Sequence, residues 1–307
     1  MGQELKDVII GVVDNYNWDK IKYWANSINA SGFTGHKALI VYNMDAQTVA
    51  KLEEEQFMLI GTGTYDKDKG FHYPHPSDRI MVDRFFHIYN FLSMLAKPED
   101  VSRVIITDVR DVVFQDNPSN RLDELLVGGH ELVLGSENLR YKDEPWGANN
   151  MKESFGQYFY DHMKDEEIFC AGVIAGTGDV VKDFCLNLWM ICRGSAPQIP
   201  GGGGPDQAAM NIMIDMEHLT YMVKRTRPTD GWVVHAGTSF PAIQAGSGGI
   251  GEAFRQNPHM PLPFIEDIDY TTLGDFVRAN GEKLAIVHQW DRVPAWKELV
   301  EGKYGTN

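Results

Sequence analysis

Val104-Ile105-Ile106-Thr107-Asp108-Val109-Arg110-Asp111 is an apolar run that ends abruptly in two carboxylates with an arginine between them. Val104 to Thr107 reads as a buried strand. In an open α/β sheet ligands collect at the carboxyl ends of the strands, so Asp108 and Asp111 stand where a ligand is expected. Two hard carboxylate oxygens suit Mg²⁺ or Mn²⁺ and leave coordination positions open for phosphate oxygens. The plain alternative is a solvated turn with an Asp108–Arg110 pair.

Upstream of this stretch, compact apolar runs alternate with amphipathic segments, the pattern of a parallel sheet covered by helices. Val8 to Val13, Leu39 to Tyr42 and Phe57 to Ile60 are expected strands, and Trp18 to Ile28 and Asp45 to Glu55 expected helices, with Asp45 as N-cap of the second. Ile80, Met81, Phe85, Ile88, Leu92 and Leu95 recur at three- and four-residue spacing, which predicts a long helix from Ser77 to Leu95. Downstream, a short helix near Leu122 to Leu126, a strand at Leu132 to Leu134, a polar aromatic loop from Ser136 to Asn150 and a further helical stretch lead to a strand at Phe169 to Ala175. A helix over Asp179 to Cys192 follows. The run Gly201 to Gly204, expected to be a mobile loop, then precedes Pro205, a good first-turn residue for a helix through Met216. Ser239 to Asp269 is rich in Gly and Pro and reads as a long surface excursion. The strand Leu284 to Val287 ends at His288. The fold class is therefore α/β, with a Rossmann-like βαβαβ start and no compelling domain boundary.

Composition bounds the function. Of 307 residues, 43% are hydrophobic and 23% charged, as in a globular chain with a sizeable core. Twenty-eight basic against 43 acidic residues give a net charge of −15, which disfavours a nucleic-acid partner and requires a local cation wherever an anionic ligand binds. Cys170, Cys185 and Cys192 form no CxxC pair, which fits buried thiols in a reducing compartment. The start of the chain lacks an apolar segment behind a basic cluster, and no apolar stretch approaches the roughly 20 residues needed to span a bilayer. A cytoplasmic location is expected, with peripheral membrane attachment left open.

Thr107 to Pro118, TDVRDVVFQDNP, resembles the metal-binding strand end of nucleotide-sugar-dependent glycosyltransferases of the GT-A fold, whose usual form is D-x-D followed by apolar residues and a proline. The match is imperfect: with Asp111 as the second aspartate, Val109 stands at the first, and the other carboxylate lies one residue earlier at Asp108. The resemblance makes Asp111 the stronger metal ligand and leaves Asp108 to reach the metal or the ribose. Other segments match in order. Asp14-Asn15-Tyr16-Asn17 resembles the first loop, where base and ribose are held; an Asx turn explains it equally. Arg84 matches an arginine that faces the donor, with a surface pair to Asp83 as the alternative and Arg79 as a weaker candidate. Phe169-Cys170-Ala171-Gly172-Val173 resembles the turn near the donor sugar, although Cys170 replaces an Asn; Ala171 and Gly172 would let the backbone approach the sugar. Pro205-Asp206-Gln207-Ala208-Ala209-Met210-Asn211 is similar to the D-Q-x-x-x-N helix start of the glycogenin-like retaining enzymes, against which stands a plain helix cap at Asp206. Ile286-Val287-His288-Gln289-Trp290 resembles the late strand whose His is a metal ligand, and Arg292-Val293-Pro294-Ala295-Trp296 the closing segment; His235 in WVVHAG is the alternate ligand.

The resemblance runs from Val8 to Trp296 and implies one GT-A-like catalytic domain built on a Rossmann-like mixed sheet flanked by helices, with residues 1–118 as the nucleotide-sugar-binding half and 119–307 as the acceptor-binding half. It implies transfer of a sugar from a nucleotide-diphosphate donor to a glycan or other hydroxyl acceptor, with Mn²⁺ or Mg²⁺ held by Asp108, Asp111 and His288. Asp14, Asn15, Tyr16, Arg84, Asp108, Arg110, Ala171 and Gly172 fall on the donor side. Asp206 and Gln207 are the catalytic pair if configuration is retained, and Glu137 is the base if it is inverted. Glu137, Asn138, Tyr141 and Trp146 offer aromatic faces and hydrogen-bonding groups suited to an acceptor sugar. Three rivals remain. A dehydrogenase lacks its G-x-G-x-x-G turn, a sugar nucleotidylyltransferase would want a basic, glycine-rich first loop where Asp14 stands, and a non-catalytic sugar-nucleotide or glycan-binding module needs no intact D-x-D.

Overall fold

The computed structural model describes residues 6–74, 79–94, 101–196, 198–200 and 202–306. The first strands and helices are β1 (Lys6–Val13), α1 (Trp18–Ala30), β2 (His36–Val41), α2 (Ala46–Glu54) and β3 (Met58–Gly61). A small hairpin, β4 (Thr64–Asp66) with β5 (Gly70–His72), precedes α3 (Ile80–Met94), β6 (Val101–Thr107), β7 (Val112–Phe114) and α4 (Pro118–Leu125). Then come β8 (Leu132–Arg140), α5 (Pro145–Phe155), α6 (Gln157–Met163), β9 (Glu167–Thr177), α7 (Gly178–Cys192), α8 (Asp206–Asp215), α9 (Glu217–Thr220) and β10 (Val223–Thr226). The chain closes with β11 (Val233–His235), α10 (Phe240–Gln244), α11 (Gly248–Gln256), β12 (Tyr270–Thr272), β13 (Val277–Ala279), β14 (Glu282–Lys283), β15 (Ile286–His288) and α12 (Pro294–Tyr304). The expected helix ends at Ser77 and Leu95, and Gly201, lie outside the described residues.

Seven strands form the main sheet in the order β10-β8-β9-β6-β1-β2-β3, with β9 antiparallel to both neighbours and every other pair parallel. The expected α/β class, a mixed sheet flanked by helices in one domain, is what the chain adopts. Because side chains alternate along a strand, Ile9 and Ile10 enter opposite core layers. On one face Phe85 and Ile88 of α3 pack with Phe184 and Leu188 of α7; on the other Ile21, Trp24 and Ile28 of α1 cover Ile9 and Leu39. Asp45 caps α2 as expected, its side chain accepting from the Thr48 amide at 2.8 Å.

A second sheet, β11-β15-β7, lies beside the ends of β6 and β8 and decides where the carboxylates go. After β6 the chain makes a short turn and re-enters as β7, antiparallel to β15. In this turn Val109 is driven into the core, so close that a Cβ on Gly11 would sit 2.5 Å from its Cγ2. Asp108 and Asp111 are thereby left on the polar side. Val109, at the position of the first aspartate of a D-x-D pattern, is thus a core residue.

Two expectations are corrected. Ser136 to Asn150 is not a polar loop: β8 continues through Arg140 with irregular register against β9, and α5 begins at Pro145. Ser136, Glu137 and Asn138 are buried yet polar because they have partners; the Ser136 hydroxyl accepts from the Asn138 amide at 2.8 Å and bonds the Glu167 carboxylate. Ser239 to Asp269 is not wholly a surface excursion, since it forms α10 and α11, whose Ile243 and Ile250 pack on Leu139. No helix among the described residues is long and apolar enough to cross a membrane.

Candidate active site

The carboxyl end of β6 and the end of β15 meet at one point. Asp108 and Asp111 flank the buried Val109, and His288 closes β15 opposite them, its Nε2 3.5 Å from an Asp108 oxygen and 3.9 Å from an Asp111 oxygen. The backbone fixes this meeting: the Gln289 amide donates to the Asp111 carbonyl at 2.7 Å, and the Asp108 amide to the Gly172 carbonyl at 2.9 Å. Gln289 takes a left-handed conformation, φ 58°, which stops β15 directly after the histidine. Gly172 leaves room for the ring; a Cβ there would sit 2.3 Å from His288 Cε1.

Arg84 is buried and bridges two carboxylates, with Nη1 2.6 Å from Asp108 and Nη2 2.7 Å from Asp206. It is therefore not the surface arginine of an Asp83 pair; Arg79 has that role, lying 3.7 Å from Asp83 and donating to the Arg193 carbonyl away from the cluster. The alternative Asp108–Arg110 pair is replaced by Arg110–Asp111 at 3.2 Å. Burial pushes the Asp108 carboxyl up, but the Arg84 guanidinium and His288 outweigh it and hold the group well below the usual carboxylate range. Asp206 is raised, chiefly by burial, against the pull of Arg84. His288 is raised despite burial by the facing Asp108 and Asp111.

Behind Asp206, α8 carries a hydrogen-bonded row. The Ala171 amide donates to Gln207 Oε1 at 3.3 Å, and Gln207 Nε2 donates to Glu137 at 3.2 Å. Asn211 clamps the Phe169 backbone from both sides, accepting from its amide at 2.9 Å and donating to its carbonyl at 2.7 Å. Asp206, Gln207 and Asn211 are all buried, and Pro205 rather than Asp206 is the helix cap. Burial and the neighbouring Glu144 carboxylate push Glu137 up to about 7, against hydrogen bonds from Cys170 and Gln207.

On the other side of the carboxylates, Asp14 accepts from Asn43 at 2.6 Å and from Asn15 at 3.0 Å. Asn15, at φ 54°, and Tyr16 line a cavity of about 400 Å³ with Lys20, Asn43 and Lys69. A second cavity, about 620 Å³, opens beside Glu137 and Asn138 and is walled by Phe240, Phe254, Phe264 and Tyr270. The four proposed acceptor residues divide. Glu137 and Asn138 face this cavity, Tyr141 is buried at 1% exposure, and Trp146 packs against Gly203. The Gly201 to Gly204 stretch is tied to α5 where it is described, Asn150 donating to the Gly204 carbonyl at 2.9 Å.

The three cysteines are free and buried. Sequence reasoning set Cys170 aside as a lost asparagine, and the structure puts its Sγ 3.7 Å from His288 Nδ1. It missed Asn43, which also accepts from the Tyr73 amide at 2.9 Å; nothing in the order Tyr42-Asn43-Met44 announces that role. His235, the alternate ligand, does not face the carboxylates but lies behind His288, the two Nδ1 atoms 2.9 Å apart.

Fold and site together define an α/β protein with an acidic, histidine-bearing cluster at the carboxyl end of a central strand. No family model matches the chain, and no curated protein does. Among solved structures it is similar to the glycosyltransferase GlyE of Streptococcus pneumoniae TIGR4, at 13% identity and a TM-score of 0.45, over 98% of this chain and 64% of that one. The chain thus spans less than two thirds of that protein's length.

Proposed function

We propose that the chain is a glycosyltransferase of the GT-A type that moves a sugar from a nucleotide-diphosphate donor to a hydroxyl acceptor with the help of a divalent ion. The observation that carries this reading is the convergence of Asp108, Asp111 and His288, whose ligand atoms all lie within 4.8 Å of one another. Two carboxylate oxygens and one imidazole nitrogen suit Mn²⁺ or Mg²⁺. Such an ion, when bound, would neutralise the donor diphosphate and the charge of the leaving group in a chain of net charge −15.

The chain's own groups fill the remaining roles. Asn15 and Tyr16 face the 400 Å³ cavity as a nucleoside site, and Asp14, pinned by Asn43, holds the loop in place. Arg110 lies beside Asp111 as a partner for phosphate oxygens. Arg84 orients Asp108 and Asp206 toward one another on the donor side. Gln207 is held by Ala171 and Glu137, and a fixed amide oxygen of this kind is suited to a developing oxocarbenium charge in a retaining transfer. Residues 1–118 then serve the donor and 119–307 the acceptor. A second reading, inversion, is favoured by Glu137, whose carboxyl faces the 620 Å³ cavity and is pushed up to about 7, as a general base requires.

The experiment is a screen of nucleotide sugars for hydrolysis, followed by transfer to an acceptor and NMR of the new linkage. Retained configuration supports Gln207, and inversion transfers the role to Glu137. Binding of nucleotide sugars without turnover would reduce the chain to a binding module.

A further inference from the structure

Behind the carboxylate cluster is a second group of metal-ligating side chains, which meets the donor site at His288. Cys170 on β9, His235 on β11 and His288 on β15 bring Sγ and two imidazole nitrogens within 4.8 Å of one another. Glu137 lies on the neighbouring strand β8, its carboxylate accepting from Gln207 Nε2 at 3.2 Å. All four residues are at most 8% exposed.

We propose that Cys170, His235 and His288 hold a tetrahedral zinc ion that joins the main sheet to the small one, with the neighbouring Glu137 carboxylate as its fourth ligand. The spacing fits. Tetrahedral Zn²⁺, with about 2.3 Å to sulfur and 2.0–2.1 Å to nitrogen, separates sulfur from nitrogen by about 3.6 Å and the two nitrogens by about 3.3 Å. The chain has Cys170 Sγ 3.7 Å and His235 Nδ1 2.9 Å from His288 Nδ1, so one outward movement of a few tenths of an ångström admits the ion.

Charge fits as well. Zn²⁺ with one thiolate, one carboxylate and two neutral imidazoles is neutral overall, which a site closed to water demands. Binding exchanges the Cys170 thiol proton, and below about pH 7 the Glu137 carboxyl proton as well, both released to solvent, for the S–Zn and O–Zn bonds. A soft thiolate selects zinc over the hard ions that prefer Asp108 and Asp111.

The geometry is also a crosslink. Glu137 and Cys170 belong to neighbouring strands of the main sheet, while His235 and His288 are paired residues of the parallel β11–β15 ladder. An ion held there ties both sheets, and because it leaves the His288 proton on Nε2 it competes with the donor metal for that ring. The site shares His288 with the proposed donor metal but uses the opposite ring nitrogen, and it requires no glycosyltransferase activity.

The test replaces zinc by Co²⁺ in the unmodified protein, whose absorption reports both geometry and sulfur ligation. Intense visible bands together with a near-ultraviolet thiolate-to-cobalt charge-transfer band are expected at one equivalent. Weak visible absorption with no charge-transfer band would overturn the proposal. Calorimetric titration with Zn²⁺ supplies the second arm: Cys170→Ala should weaken binding by about 100-fold or more, and Asp111→Asn should leave it within a few-fold. The opposite ranking would place the ion at the carboxylates and overturn the assignment, whatever the chain's catalytic activity proves to be.

Discussion

Replacing Glu137 by Gln should remove a pH dependence of stability that this one carboxyl imposes on the metal-free protein. The group is raised from 4.5 to about 7 by burial and by Glu144. From pH 4.5 to 7 the folded chain therefore holds a proton that the unfolded chain has released. Its contribution is fully present below pH 4.5 and is lost as pH rises toward 7. A gap of about two and a half pH units, at about 1.4 kcal/mol per unit, is worth about 3 kcal/mol. Gln keeps the size of protonated Glu and an acceptor for the Gln207 amide, so the two proteins should be nearly equal in acid. Urea unfolding in the presence of a chelator, at half-unit steps from pH 4.5 to 8, should show the variant gaining on the wild type by about 3 kcal/mol across the window. Glu144 and Asp206 are also raised but are present in both proteins, so they largely cancel in the difference. Parallel profiles would refute the reasoning, because they would mean that Glu137 ionises in the fold as readily as in water.

Other outcomes follow from the same geometry. Arg84→Leu leaves Asp108 and Asp206 without their shared cation and should cost about 3–5 kcal/mol in chemical denaturation, much of it recovered by adding Asp206→Leu; a loss under about 1 kcal/mol would show the pair to be solvated. Gly172→Ala places a Cβ 2.3 Å from the His288 ring and should weaken Mn²⁺ binding by about 10-fold or more in an EPR titration; unchanged affinity would remove His288 from the ligand set. Zinc on His288 Nδ1 keeps the ring proton on Nε2, so zinc-loaded protein should bind Mn²⁺ more weakly than zinc-free protein, and equal affinity would show that the ring is not shared.

The fold was legible in the sequence where apolar periodicity is long and uninterrupted. β1 through β3, α3 and β6 stand close to where the spacing puts them. β7 was not, because Val112-Val113-Phe114 is three residues long and becomes a strand only by pairing with β15, more than 170 residues later. β8 was cut short because Ser136, Glu137 and Asn138 are polar; their burial depends on Glu167, Gln207 and the 264–268 segment, partners that composition does not reveal. The carboxylate cluster was readable as a strand-end feature, but the place of Val109 in the core was not. The sequence offers Arg84 as a donor-facing residue with a surface pair to Asp83 as the alternative, and neither reading supplies its partners, which lie 24 and 122 residues away. The Cys170–His235–His288 group joins three separate strands, and no local pattern could have announced it.

The central claim is that Asp108, Asp111 and His288 hold a divalent ion for a nucleoside-diphosphate donor. Thermal unfolding measured with UDP- and GDP-sugars, each with and without Mn²⁺, addresses it directly. A nucleotide sugar should raise Tm only when Mn²⁺ is present, by an amount that grows with ligand concentration, and Asp111→Asn should abolish the rise. The same stabilisation without the metal, or in the Asp111→Asn protein, would contradict it.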